Sequence, residues 1–96
     1  MTEAAPVPLF SPFQIRGITL RNRIVVSPMS QYCSIEGAPT DWHLVHLGKF
    51  AMGGAALVFC EETSVSETSR KTYDCPGIYT DAQAKAWRRV TEFIRG

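Results

Sequence analysis

The spacing of apolar residues changes several times along the chain, and each change predicts an element. Phe13-Gln14-Ile15 and Ile18-Thr19-Leu20 alternate apolar and polar, the period of a half-buried strand. Arg16-Gly17 separates them, and a glycine there can supply the positive φ of a tight turn. The two runs therefore predict a β-hairpin. Over Arg23 to Val26 the pattern becomes Ile24-Val25-Val26, a β-branched run suited to a parallel strand buried on both faces. Ser27-Pro28 should end it, because proline cannot donate to a ladder. Residues 29–39 are polar, contain Gly37 and Pro39, and predict a loop.

From Asp41 to Met52, Leu44, Leu47 and Ala51 recur at helical spacing. Thr40 or Asp41 can cap this helix, and Gly53-Gly54 can stop it in a left-handed conformation. Ala55 to Cys60 predicts a second buried strand, with Glu61-Glu62 at its C-terminal end and an irregular stretch over residues 63–79. Thr80-Asp81-Ala82-Gln83 has the form of a capping box. Trp87, Val90, Phe93 and Ile94 then form the apolar stripe of an amphipathic helix running to the end of the sequence.

The order is hairpin, β, α, β, α, which argues for a parallel α/β arrangement. Residues 1–8 read as a flexible tail and residues 9–96 as the folded part. Two parallel strands make a poor independent sheet. At 96 residues the chain is expected to be part of a larger unit rather than a complete enzyme.

Composition adds mainly exclusions. The sequence is 45% hydrophobic and 20% charged, with a net charge of +1, ordinary for a globular protein. Arg16, Arg21 and Arg23 are separated by uncharged residues, so no basic footprint for nucleic acid is expected. There is no export-signal pattern at the N-terminus and no run long enough to span a bilayer; a cytoplasmic location is the default expectation. Cys33, Cys60 and Cys75 are odd in number and widely spaced, which fits reduced thiols. No metal site is expected. His43 and His46 lack a completing ligand pattern and read as packing or polar bridging.

Ligands of parallel α/β folds bind at the C-terminal ends of strands. That rule selects Ser27-Pro28-Met29-Ser30-Gln31-Tyr32 and Glu61-Glu62-Thr63. The first segment offers a polarizable thioether, a short hydroxyl and a phenol. Such a loop can cover one face of a flat heterocycle and bond its edge; the same Ser-Pro pair can equally do no more than start a turn. Adjacent strand residues point to opposite faces, so Glu61 and Glu62 are not expected to act as an acid–base dyad. Glu61 reads as structural, Cys60 and Cys75 as small buried residues, and Trp42 and Trp87 as helix-to-barrel packing.

The ordered set Leu9-Phe10-Ser11-Pro12-Phe13, Leu20-Arg21-Asn22-Arg23-Ile24-Val25, Ser27-Pro28-Met29 with Tyr32, Asp41-Trp42-His43-Leu44-Val45-His46, Gly53-Gly54-Ala55, Glu61, Pro76-Gly77-Ile78-Tyr79 and Trp87 resembles the start of the old yellow enzyme family, closest to its bacterial, thermophilic-like ene-reductase branch. The resemblance covers residues 9–96. It implies a partial (β/α)8 TIM barrel, here the N-terminal hairpin plus the first two βα units, with the hairpin closing the barrel bottom. It further implies FMN at the C-terminal mouth, reduced by NADH or NADPH and passing hydride to an α,β-unsaturated carbonyl compound, in a homo-oligomer. Ser27, Pro28 and Met29 match the segment along the flavin. Ser30 matches the position near flavin O4 and N5, where that branch often has cysteine. Tyr32 matches a substrate-pocket tyrosine. Glu62 falls where the family usually has a small or uncharged residue whose backbone meets the flavin. The family's substrate-anchoring histidine pair belongs to a later strand, so His43 and His46 do not represent it. A non-catalytic interaction module and the reductase-like part of a flavin-dependent aromatic-acyl-CoA hydroxylase are the alternatives.

Overall fold

The computed structural model describes residues 7–96. Most of the tail expected over residues 1–8 lies outside the described residues, and Pro8 already opens a short 3-10 turn, Pro8–Phe10. The hairpin is present as β1 (Phe13–Ile15) paired antiparallel with β2 (Ile18–Leu20). Its turn corrects one expectation: Arg16 carries the positive φ, at 50°, and Gly17 does not. The Gln14 amide donates to the Arg16 carbonyl at 3.1 Å, which helps hold Arg16 in that conformation.

Strand β3 (Val25–Val26) and strand β4 (Leu57–Val58) pair in parallel, Val25 with Leu57 and Val26 with Val58. Helix α1 (Asp41–Met52) connects them, giving the βαβ unit that the sequence pattern predicts. A short 3-10 turn, Glu67–Ser69, precedes helix α2 (Asp81–Arg95).

Asn22 ties this unit together. Its side-chain oxygen accepts from the Ile24 amide at 2.9 Å and the Ala56 amide at 3.2 Å, and its amide nitrogen donates to the Gly54 carbonyl at 2.8 Å. The entry to β3 is thereby locked to the segment entering β4. Gly54, at φ 99° just beyond the α1 C-cap, has the left-handed backbone that turns the chain out of the helix.

Both helices begin with reciprocal caps. At α2, Thr80 Oγ1 accepts from the Gln83 amide at 3.1 Å, while Gln83 Oε1 accepts from the Thr80 amide at 3.2 Å, the predicted capping box. At α1, Thr40 is the cap and accepts from the Trp42 amide at 3.2 Å. The third helical residue here is His43, whose Nδ1 accepts from the Thr40 amide at 2.9 Å.

The core lies between the two helices and the sheet. Leu47, Trp87 and Val90 are buried together, with Leu44, Val58 and Ile94 packed against them. The Trp87 indole N–H is also satisfied, donating to the Gly77 carbonyl at 3.2 Å.

The strands correct the expectation of burial on both faces. They are shorter than Arg23–Val26 and Ala55–Cys60; Val25 remains 45% exposed, and Cys60 is exposed rather than buried. The reason is topological: among the described residues, β3 and β4 have only each other as partners. Phe13, Ile15, Leu20, Val25, Leu57 and Phe59 line an open apolar groove of about 380 Å³ between hairpin and sheet. The radius of gyration, 16.2 Å, exceeds the ~12.5 Å of a closed domain of this length. The described residues form an open α/β unit with the inner face of its sheet uncovered.

Replacing Asn22 with alanine should destabilise the protein by about 1–3 kcal/mol, because it leaves the partly buried Ile24 amide and Gly54 carbonyl without partners. Chemical denaturation of wild type and variant measures this; an unchanged midpoint would remove Asn22 as the tie.

Candidate functional site

Parallel pairing brings the two selected segments to one end of the sheet, since β3 and β4 run in the same direction. Ser27, Pro28, Met29 and Ser30 leave β3 as irregular backbone, followed by Tyr32; Glu62 leaves β4. Met29 is 45% and Tyr32 52% exposed, and Ser27, Pro28 and Glu62 are exposed as well. Tyr32 has φ 55°, the left-handed region that non-glycine residues rarely enter.

Behind this exposed surface lies a buried polar network. His43 and Glu61 have relative exposures of 0% and 5%. His43 Nε2 lies 3.1 Å from Glu61 Oε2, but off line for a hydrogen bond. The other Glu61 oxygen accepts from the Gln31 amide at 3.4 Å. The Gln31 side-chain carbonyl accepts in turn from the Trp42 indole N–H at 2.8 Å. The start of α1, the end of β4 and the loop after β3 therefore meet at Glu61 and Gln31.

The network assigns protonation. Thr40 donates to His43 Nδ1, so that nitrogen is an unprotonated acceptor and the neutral ring carries its hydrogen on Nε2, facing Glu61. Burial pushes the His43 pKa down. Burial pushes the Glu61 pKa up, opposed by the hydrogen bond from the Gln31 amide and by the charges of His46 and Lys71. Each group is shifted toward its uncharged form, as expected where desolvation outweighs attraction.

Two further features meet the exposed segment. Lys71 Nζ donates to Ser30 Oγ at 2.8 Å and stands 5.0 Å from the Tyr32 ring centroid. The neighbouring Tyr32 side chain raises the Lys71 pKa, with a further contribution from Glu62. The structure thus connects Ser30 and Tyr32 through a lysine that the sequence pattern did not single out.

Other expectations divide. Glu61 and Glu62 do part, one buried and one exposed. His46 lies between Trp42 and Phe50 in an aromatic row, with ring centroids 6.4 and 5.2 Å away. Trp87 packs in the core, whereas Trp42 is 57% exposed and serves Gln31; the packing role expected of Trp42 is corrected. Cys75 is buried and Cys33 partly so, and burial raises the Cys33 pKa, with Glu61 and Asp74 adding to the rise. The Thr40–His43 cap had a sequence signal, a hydroxyl followed three residues later by a polar side chain, with histidine replacing the usual glutamate or glutamine.

The donor set fits one face and edge of a flavin ring. The Met29 and Ser30 amides make no hydrogen bond to the rest of the described chain. An exposed thioether, a hydroxyl and a phenol stand beside them. Unpaired amides and a hydroxyl suit an acceptor-rich heterocycle edge, and the thioether suits its face.

Comparison with known proteins identifies the family. The model of the NADH:flavin oxidoreductase / NADH oxidase family matches residues 8–96. An NADPH dehydrogenase from Bacillus cytotoxicus is 42% identical over 89 residues, covering 91% of this chain and 26% of that protein. An NADH:flavin oxidoreductase from Gibberella zeae is 39% identical over 85 residues, covering 88% of this chain and 21% of that protein. Among solved structures, morphinone reductase superposes with a TM-score of 0.83 at 32% identity, over 91% of this chain and 23% of that one. The old yellow enzyme from Trypanosoma cruzi gives a TM-score of 0.83 at 30% identity, over 92% and 24%.

These matches define a segment of the flavin oxidoreductase barrel, comprising the hairpin and the first two βα units. The chain belongs to the NADH:flavin oxidoreductase / NADH oxidase family and spans about a quarter of the length of the relatives it matches. Bacterial and fungal proteins match with similar identity, so the matches do not single out a bacterial branch.

A neutral buried His43 has a pH signature. Its folded pKa is lowered, so its stabilising effect is complete above the usual histidine value of about 6.5. That effect is lost as pH falls below this value through the folded pKa, with a slope of up to about 1.4 kcal/mol per pH unit. The stability difference between wild type and His43→Gln should therefore shrink from pH 7.5 to pH 5. Denaturation series at each pH measure it, and a difference constant with pH would contradict the assignment.

Proposed function

We propose that this chain supplies one wall of an FMN site in an NAD(P)H-dependent oxidoreductase that reduces the activated C=C bonds of α,β-unsaturated carbonyl compounds. The observation that carries the reading is the convergence of Ser27–Ser30, Tyr32 and Glu62 at one end of a parallel β3–β4 pair, in a chain of this flavin oxidoreductase family. One related structure, morphinone reductase, is described in complex with tetrahydroNAD, and a nicotinamide reductant is proposed here by that likeness.

Bound FMN would accept hydride from the reduced nicotinamide and deliver it to the β-carbon of the substrate. The residues of this chain bind and orient. Ser27 and Pro28 direct the backbone along the ring, and Met29 covers it. Ser30 meets the ring edge near O4 and N5. Tyr32 borders the substrate side, its ring aimed by the left-handed backbone. Glu62 contributes through its backbone.

The protein carrying this segment should purify with FMN, seen as visible flavin absorbance co-eluting with the polypeptide. NADH or NADPH should bleach it anaerobically, and an enone should restore the colour. A folded, colourless protein that takes up no added FMN would overturn the reading. The Ser30→Cys variant should have a different flavin potential, because a thiol is softer and more acidic than a hydroxyl. Identical potentiometric titrations would remove Ser30 from the flavin edge.

A further inference from the structure

Lys71 stands 41 residues from Ser30 in sequence, in the irregular stretch before α2, and reaches the candidate site across the mouth of the fold. Its ammonium has only donors, so the direction of its 2.8 Å contact with Ser30 Oγ is fixed: lysine donates and serine accepts. A hydroxyl whose oxygen has accepted retains its own hydrogen to give. Ser30 is thereby prepared as a donor toward whatever occupies the mouth. As an exposed lysine, Lys71 is charged at neutral pH, and the Tyr32 ring stands 5.0 Å from its ammonium.

We infer that Lys71 is a positioning residue that acts through Ser30 to raise the reduction potential of a flavin bound against this loop. The inference rests on the FMN reading above. Reduction of the ring takes up two electrons, supplied as hydride by the reduced nicotinamide, and increases the negative charge on the ring. A donor hydrogen bond strengthens as its acceptor becomes more negative, and more so when a cation polarises the donor. The hydroxyl relay matters because Lys71 itself is solvent-exposed. Its direct field is screened by water and salt, whereas the Ser30 contact carries its influence over bonded distance. The same arrangement selects acceptor atoms at the Ser30 hydroxyl.

Potentiometric titration of the FMN-loaded full-length protein tests this, with Lys71→Met, Lys71→Arg, Ser30→Ala and the Lys71→Met/Ser30→Ala double variant. Lys71 is exposed, so its variants should fold. Lys71→Met should weaken reduced flavin relative to oxidised flavin about tenfold, a fall of ~30 mV for a two-electron couple. Lys71→Arg should retain most of the wild-type potential. In the Ser30→Ala background, Lys71→Met should add no further change. An unchanged potential in Lys71→Met would overturn the inference, as would an equal fall with and without Ser30. Wild-type protein that takes up no FMN would instead overturn the flavin reading itself.

Discussion

Two pairs of parallel residues, Val25 with Leu57 and Val26 with Val58, set the geometry of everything else. Parallel strands need a crossover, and α1 provides it. Because both strands run the same way, the loop after β3 and the loop after β4 emerge side by side. An antiparallel pairing of the same residues would have put Ser30 and Glu62 at opposite ends. The ladder is short, so its alignment depends on help from outside it. Asn22 supplies that help at the strand entries, and the core of Leu47, Trp87 and Val90 fixes the helices beyond.

At the strand exits the same task falls to polar groups. Glu61 is buried where the fold turns from sheet to loop, and it faces His43 while receiving the Gln31 amide. His43 simultaneously completes the helix cap through Thr40. One imidazole thus serves both the start of a helix and the end of a strand. A buried carboxyl is costly without partners, so its placement constrains Gln31, and Gln31 in turn constrains the flanking Ser30 and Tyr32. The exposed loop is irregular but anchored from beneath.

The sequence pattern revealed the periodic parts of this fold well. Helix α1 spans Asp41–Met52 as its spacing predicts, and the Thr80–Gln83 box starts α2. Both depend on neighbours within one turn. Strand length and burial were less legible: Ile24-Val25-Val26 records the surroundings such a strand is suited to, and a single partner strand leaves Val25 exposed. The turn at Arg16-Gly17 also misled, because glycine permits positive φ without requiring it, and Arg16 adopts it instead. For the candidate site, the strand-end rule selected Ser27–Tyr32 and Glu62, and the parallel pairing brings both segments to one end of the sheet. Lys71 was not legible, because its approach to Ser30 depends on how an irregular segment returns across the mouth. Trp42 illustrates the same limit: its size suggests packing, but its indole N–H is used on Gln31.

The backbone at Tyr32 carries a consequence for anyone selecting variants of this protein. At φ 55° a tyrosine pays a conformational cost that glycine would largely escape. Screening for thermal robustness alone would therefore tend to relax this position and discard its aromatic ring. Given the role proposed for Tyr32, robustness and ligand recognition pull in opposite directions at one residue, a local instance of the stability–activity trade-off. A selection intended to preserve the loop must score binding alongside melting.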